Sequence, residues 1–160
     1  MKYVPEDTSV TFSEIPDEIS LCINISGCPC NCPGCHSQYL SKDIGEVLDE
    51  KAADALIKTH SGVSCICFMG GDGWRRELNH LISHVRKVHP HLKIAWYSGR
   101  SVISPDINIK NLDYVKVGPY MIEKGPLNKE TTNQRLYYID HTSHDKLIDI
   151  TYKFWKKQTL

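Results

Sequence analysis

The stretch "VSCICFMGGDGWRRELNHLISHVRKVHP", residues 63–90, contains a complete strand, turn and helix in sequence form. Residues 63–69 are a short apolar run stopped by Gly70-Gly71, the pattern of a buried strand meeting a turn. Trp74, Leu78, Leu81, Ile82, Val85 and Val88 then recur at intervals of three or four. That period predicts an amphipathic helix, and His89-Pro90 ends it. The same alternation extends in both directions. Upstream, "ISLCINIS" (19–26) reads as a strand ended by Gly27, and "EVLDEKAADALIKTH" (46–60) as a helix with Leu48, Ala52, Ala55 and Leu56 on one face. Downstream, "LKIAWYS" (92–98), "DYVKVG" (113–118) and "RLYYID" (135–140) read as three further strands. Strands separated by helices imply right-handed crossovers and a mostly parallel sheet. The fold class expected is α/β, in a single domain over residues 1–160.

Open sheets of this kind gather ligands beyond the carboxyl ends of their strands. Three stretches fall there: a cysteine-rich loop after the first strand, Gly70-Gly71-Asp72 after the second, and Ser98-Gly99-Arg100 after the third. The loop, "SGCPCNCPGC" (26–35), holds Cys28, Cys30, Cys32 and Cys35, and its glycines and prolines favour a tight turn over a helix. The chain has seven cysteines, an odd number that suits a disulfide framework poorly. The first residues lack the apolar core of a secretory signal, and no apolar run approaches bilayer length. A cytoplasmic location, where clustered thiols more often bind metal, is therefore expected. Lys+Arg and Asp+Glu are both 19, and this balance argues against nucleic-acid binding.

Cys28, Cys32 and Cys35 are spaced C-x3-C-x2-C, while Cys30 offers competing series. Structural zinc needs four closed ligands. Cys65 and Cys67 alternate along a strand without a wrapping turn, so they read as small buried residues, as does Cys22. An iron–sulfur cluster uses thiolates, and three of them leave one iron open.

The C-x3-C-x2-C loop after an opening strand resembles the signature of the radical S-adenosylmethionine (SAM) enzymes. That resemblance implies a partial (β/α) barrel in which Cys28, Cys32 and Cys35 hold a 4Fe-4S cluster. The remaining iron is chelated by the amino and carboxylate groups of S-adenosyl-L-methionine, whose reductive cleavage gives a 5′-deoxyadenosyl radical. "FMGGD" (68–72) occupies the place of the superfamily's GGE-type motif, which implies that backbone carbonyls at Gly70, Gly71 and Asp72 bind the SAM amino group. Asp72 departs from the commoner Glu, and it also suits a cap on the following helix. "WYSGR" (96–100) resembles the superfamily's strand-end Tyr-Thr-Gly stretch, which implies SAM contacts from Ser98 and Arg100. His36 reads as a partly exposed loop histidine.

"GPLNKETTNQRLYYID" (125–140) resembles the distal segment of anaerobic ribonucleoside-triphosphate reductase activating proteins, through Thr131, Thr132, Asn133, Gln134 and Arg135. This implies an oxidoreductase that installs a glycyl radical on the large reductase subunit and draws its electron from a flavodoxin-like donor. No nucleic-acid or membrane partner is expected. Two other enzyme readings share the chemistry, an activase of another glycyl-radical enzyme and a radical enzyme acting on a small molecule. A zinc-binding adaptor is the non-enzyme alternative. In the tail, 141–160, the spacing of Ile148, Tyr152 and Trp155 predicts one helical face packed on the core.

Overall fold

The computed structural model describes residues 1–155. In chain order the elements are β1 (Lys2–Tyr3), β2 (Ser9–Thr11), β3 (Ser20–Asn24), β4 (Glu46–Val47), α1 (Glu50–Thr59), β5 (Cys65–Met69), α2 (Arg75–Val88), β6 (Lys93–Tyr97), β7 (Tyr114–Val117), β8 (Arg135–Asp140) and β9 (Lys146–Asp149). Seven strands form one sheet in the order β2-β3-β5-β6-β7-β8-β9, and β1 pairs with β4 separately. β3, β5, β6 and β7 run parallel. β2, β8 and β9 join antiparallel. The fold is thus mixed α/β, with a parallel centre and antiparallel flanks. The flanks depart from a simple parallel expectation because no helix lies between β7 and β8, and a chain that returns without a crossover pairs antiparallel.

Helix α1 starts later than the sequence pattern suggests. The Asp49 carboxylate accepts the N–H of Ala52 at 2.8 Å and caps the helix there. Glu46 and Val47 instead pair with β1. Ala53 and Ile57 are the fully buried positions of α1, with Ala52 and Leu56 packed beside them. Ala55, expected on that face, is exposed, and buried Leu48 lies ahead of the helix. The later start and the packing against α2 turn the buried stripe by one residue. In α2 the expected stripe is present, with Leu78, Leu81, Ile82 and Val85 buried, while Val88 is exposed.

Alternation along each strand divides the sheet into two faces. Leu21, Ile23, Ile66, Phe68, Ile94, Trp96, Val115 and Val117 pack with both helices in one cluster. The opposite face carries Cys22, Cys65, Cys67, Ala95, Tyr114 and Leu136, covered by Ile15, Ile150 and Phe154. The three cysteines are at most 4% exposed and serve there as small apolar core residues.

The tail corrects the helical expectation. β9 forms a hairpin with β8, and Thr151–Phe154 is a short 3-10 helix. Ile148 and Tyr152 are 39% and 48% exposed, so they do not form a buried stripe with Trp155. Thr151 explains the turn: it donates to the Asp149 carboxylate at 2.6 Å, while its hydroxyl accepts the Leu136 N–H at 2.8 Å. The part of the tail reading that falls on 156–160 lies outside the described residues. Among the described residues no helix is long and apolar enough to cross a membrane.

Candidate metal centre

The cysteine loop leaves the sheet at the carboxyl end of β3. Main-chain bonds tie it back: Gly27 N–H to the Lys42 carbonyl at 3.1 Å, and Cys28 N–H to the Leu40 carbonyl at 2.8 Å. The loop therefore closes on its own base. The Trp74 indole N–H donates to the Ser26 carbonyl at 3.1 Å and anchors the loop to the start of α2.

Cys28, Cys32 and Cys35 line one cleft of about 530 Å³, together with Asn31, Ser37, Tyr39 and Lys42. Cys30 is not in its lining. Its thiol points to Asp72, with Sγ 3.7 Å from Oδ2. On its other side a Cβ at Gly99 would sit 2.7 Å from that sulfur, so only a residue without a side chain allows this approach. Burial, and then the Asp72 carboxylate, push the Cys30 thiol up to about 12. Of the four loop thiols, three line the cleft, and Cys30 lies outside its lining, against Asp72 and Gly99 and still beside Cys28.

The donor set fits an iron–sulfur cluster, because soft thiols are its ordinary ligands. The Ser37 N–H points at the Cys35 sulfur at 3.4 Å, the kind of main-chain donor that stabilises thiolate charge. Among the described residues no three Cys, His, Asp or Glu side chains close on a single metal ion.

The ends of β5 and β6 do not line this cleft, whose lining residues all fall between Cys28 and Lys42. Asp72 is 1% exposed and accepts the Ser98 hydroxyl at 2.6 Å and the Gly99 N–H at 2.8 Å. It does not cap α2, whose N-cap residue is Trp74. Ser98, also 1% exposed, accepts the Arg100 N–H on the same hydroxyl at 3.0 Å. The side chains of Asp72 and Ser98 are thus committed to each other and join two strand ends. Gly70 and Gly71 take positive φ values of 97° and 91°, conformations that glycine adopts without steric penalty. The Gly70 carbonyl accepts the Trp96 indole N–H at 2.8 Å, and the Gly71 carbonyl accepts the Trp74 N–H at 2.9 Å. Each keeps a second lone pair. Arg100 is exposed.

The segment around Asn133 is tied to the turn that follows β7. Asn133 donates to the Pro119 carbonyl at 2.9 Å, and Thr131 and Thr132 donate to Lys124 and Gly125 carbonyls. His36 is exposed and packs its ring 5.8 Å from that of Tyr120.

One polar residue at this site has no counterpart in the sequence reading. Lys116 of β7 is 9% exposed, and its ammonium donates to the Gly118 carbonyl at 3.0 Å and the Ser98 carbonyl at 3.4 Å. It lies 5.8 Å from the centre of the Tyr97 ring. Burial lowers its pKa to about 8, against the opposing pull of Cys32, Asp72, Cys30 and Cys35. A lysine inside an apolar four-residue strand was the only available signal, and alternation alone would place it on either face.

A model of the 4Fe-4S single cluster domain matches residues 19–140. The chain belongs to that family. The match spans β3 through β8 and includes all four cysteines of the loop. No curated protein and no solved structure matches the chain.

Proposed function

We propose that the chain is a radical SAM enzyme of partial (β/α) barrel type that generates a glycyl radical on the large subunit of anaerobic (class III) ribonucleoside-triphosphate reductase. The observation that carries this reading is that Cys28, Cys32 and Cys35 line one cleft whereas Cys30 is outside its lining, against Asp72 and Gly99. When bound, a 4Fe-4S cluster held by three thiolates supplies an open iron for SAM and the electron that cleaves it. The residues of the chain hold and orient. Cys28, Cys32 and Cys35 are the metal ligands. Gly70, Gly71 and Asp72 offer backbone carbonyls to the SAM amino group through their second lone pairs. Ser98 acts through Asp72, since its hydroxyl is already engaged. Arg100, which is exposed, pairs with the SAM carboxylate in this reading. The one-direction strand order β3-β5-β6-β7, with both helices on one face, supports the partial barrel. The resemblance of residues 125–140 to reductase activating proteins supports the choice of partner.

The test is anaerobic reconstitution with iron and sulfide, followed by reduction in the presence of SAM and the reductase large subunit. The expected result is 5′-deoxyadenosine together with a glycyl radical signal on the large subunit. SAM cleavage without that signal would refute the reductase assignment. A single bound zinc with no iron–sulfur chromophore would refute the radical reading altogether.

A further inference from the structure

Lys116 is a buried cation with no carboxylate within 4 Å of its ammonium among the described residues, although Asp72 and Glu14 act on it from farther away. Removing an ammonium from water without a contacting counter-ion is costly, so further negative charge nearby stabilises it. Two main-chain carbonyls hold it, from Gly118 and from Ser98. Ser98 leads directly into Gly99, which lies against Cys30, and its hydroxyl is bonded to Asp72. Lys116 is therefore bound to the carbonyl that precedes Gly99, the residue that lies against Cys30. Its register partners are Tyr97 on β6 and Leu136 on β8, so strands flank it on both sides.

We infer that Lys116 is a positioning charge that stabilises the reduced state of the cluster bound by Cys28, Cys32 and Cys35. This rests on the proposed cysteine site. One electron from the donor enters the oxidised cluster and adds one negative charge, with no bond made or broken at Lys116. A fixed cation in a low-dielectric wall favours that added charge and raises the reduction potential. The ammonium remains charged at neutral pH. The Lys116 carbonyl also accepts the Ser98 N–H at 2.8 Å, so the strand itself is anchored and the charge cannot drift.

The test is a redox titration of the reconstituted full chain at pH 7, followed by EPR of the reduced cluster, with iron counted in every sample. Lys116→Met preserves length and removes charge; Lys116→Gln is a second neutral variant, and Lys116→Arg keeps the charge. The expected result is full iron content in all four proteins. Both neutral variants shift to a more negative midpoint by at least a tenfold change in the reduced-to-oxidised ratio, about 59 mV for a one-electron couple. Lys116→Arg stays nearer the original value. Neutral variants that load fully and keep the original midpoint would overturn the inference. So would neutral variants that fold without loading, because the charge would then serve assembly and not potential. Failure of the unmodified chain to bind iron would refute the cysteine site itself, an outcome read before any midpoint is compared.

Discussion

Replacing Asp72 by alanine tests whether the ends of β5 and β6 are held together by this one carboxylate. Its oxygens accept from Ser98 Oγ at 2.6 Å and Gly99 N–H at 2.8 Å, and the Cys30 thiol approaches at 3.7 Å. Asp72 and Ser98 are both 1% exposed, so water does not readily replace the lost acceptor. A hydrogen bond to a charged group contributes about 1.5–3 kcal/mol. Two of them, with the weak thiol contact ignored, give roughly 3–5 kcal/mol for Asp72→Ala after some relaxation. Asparagine keeps one acceptor oxygen but turns an amide donor toward the other N–H or hydroxyl, so Asp72→Asn is expected to cost about half as much. The assay is equilibrium urea unfolding of the iron-free full chain under reducing, anaerobic conditions. A double-mutant cycle with Ser98→Ala isolates the pair, and a coupling of about 1–2 kcal/mol is expected for two groups in direct contact. A loss below about 1 kcal/mol for Asp72→Ala, or additivity in the cycle, would refute the clasp.

Three further outcomes follow from the same geometry. Serine at Cys28, Cys32 or Cys35 is expected to abolish the iron–sulfur absorbance, whereas serine at Cys30, Cys22, Cys65 or Cys67 leaves most of the iron bound; iron counting after reconstitution checks both. Trp96→Phe removes the donor to the Gly70 carbonyl from a fully buried site and is expected to lower stability by roughly 2–4 kcal/mol, read from urea midpoints. Lys116→Met is expected to stabilise the iron-free chain near pH 7, by up to roughly 3 kcal/mol for a folded pKa of about 8 against 10.5, less the two carbonyl bonds it gives up. Between those pH values the unfolded original chain binds more protons than the folded one, so its stability rises with pH and the advantage of methionine shrinks. Glu14, Asp72 and the loop thiols facing Lys116 are common to both proteins and largely cancel in the difference. An advantage that grows from pH 8 to 10 would contradict the burial of a charged lysine.

Much of this was legible in the linear chain because periodicity and turn residues act locally. The strand, the Gly70-Gly71 turn and α2 follow from a change of period at a glycine pair, and the three strand-end stretches converge because parallel strands share one carboxyl end. Local signals also misled. Leu48 and Ala55 looked like one helical stripe until the Asp49 cap moved the start of α1. Ile148, Tyr152 and Trp155 matched a helix by spacing, yet the open edge of β8 captured Lys146–Asp149 as a strand, because unpaired ladder groups outweigh the weak helix signal of a short segment.

By itself, then, the sequence determined that a thiol-rich loop stands at the end of the first parallel strand, beside two glycine turns. Spacing along a backbone decides that. Which thiols share the cleft was decided only in three dimensions, where Asp72 and Gly99, 42 and 69 positions from Cys30, draw that one sulfur away. The same holds for Lys116, which is an ordinary strand residue in sequence and a buried cation held by the Ser98 and Gly118 carbonyls in the fold. Burial and long-range contact set the chemistry of both side chains, and neither quantity is encoded by neighbours in the chain.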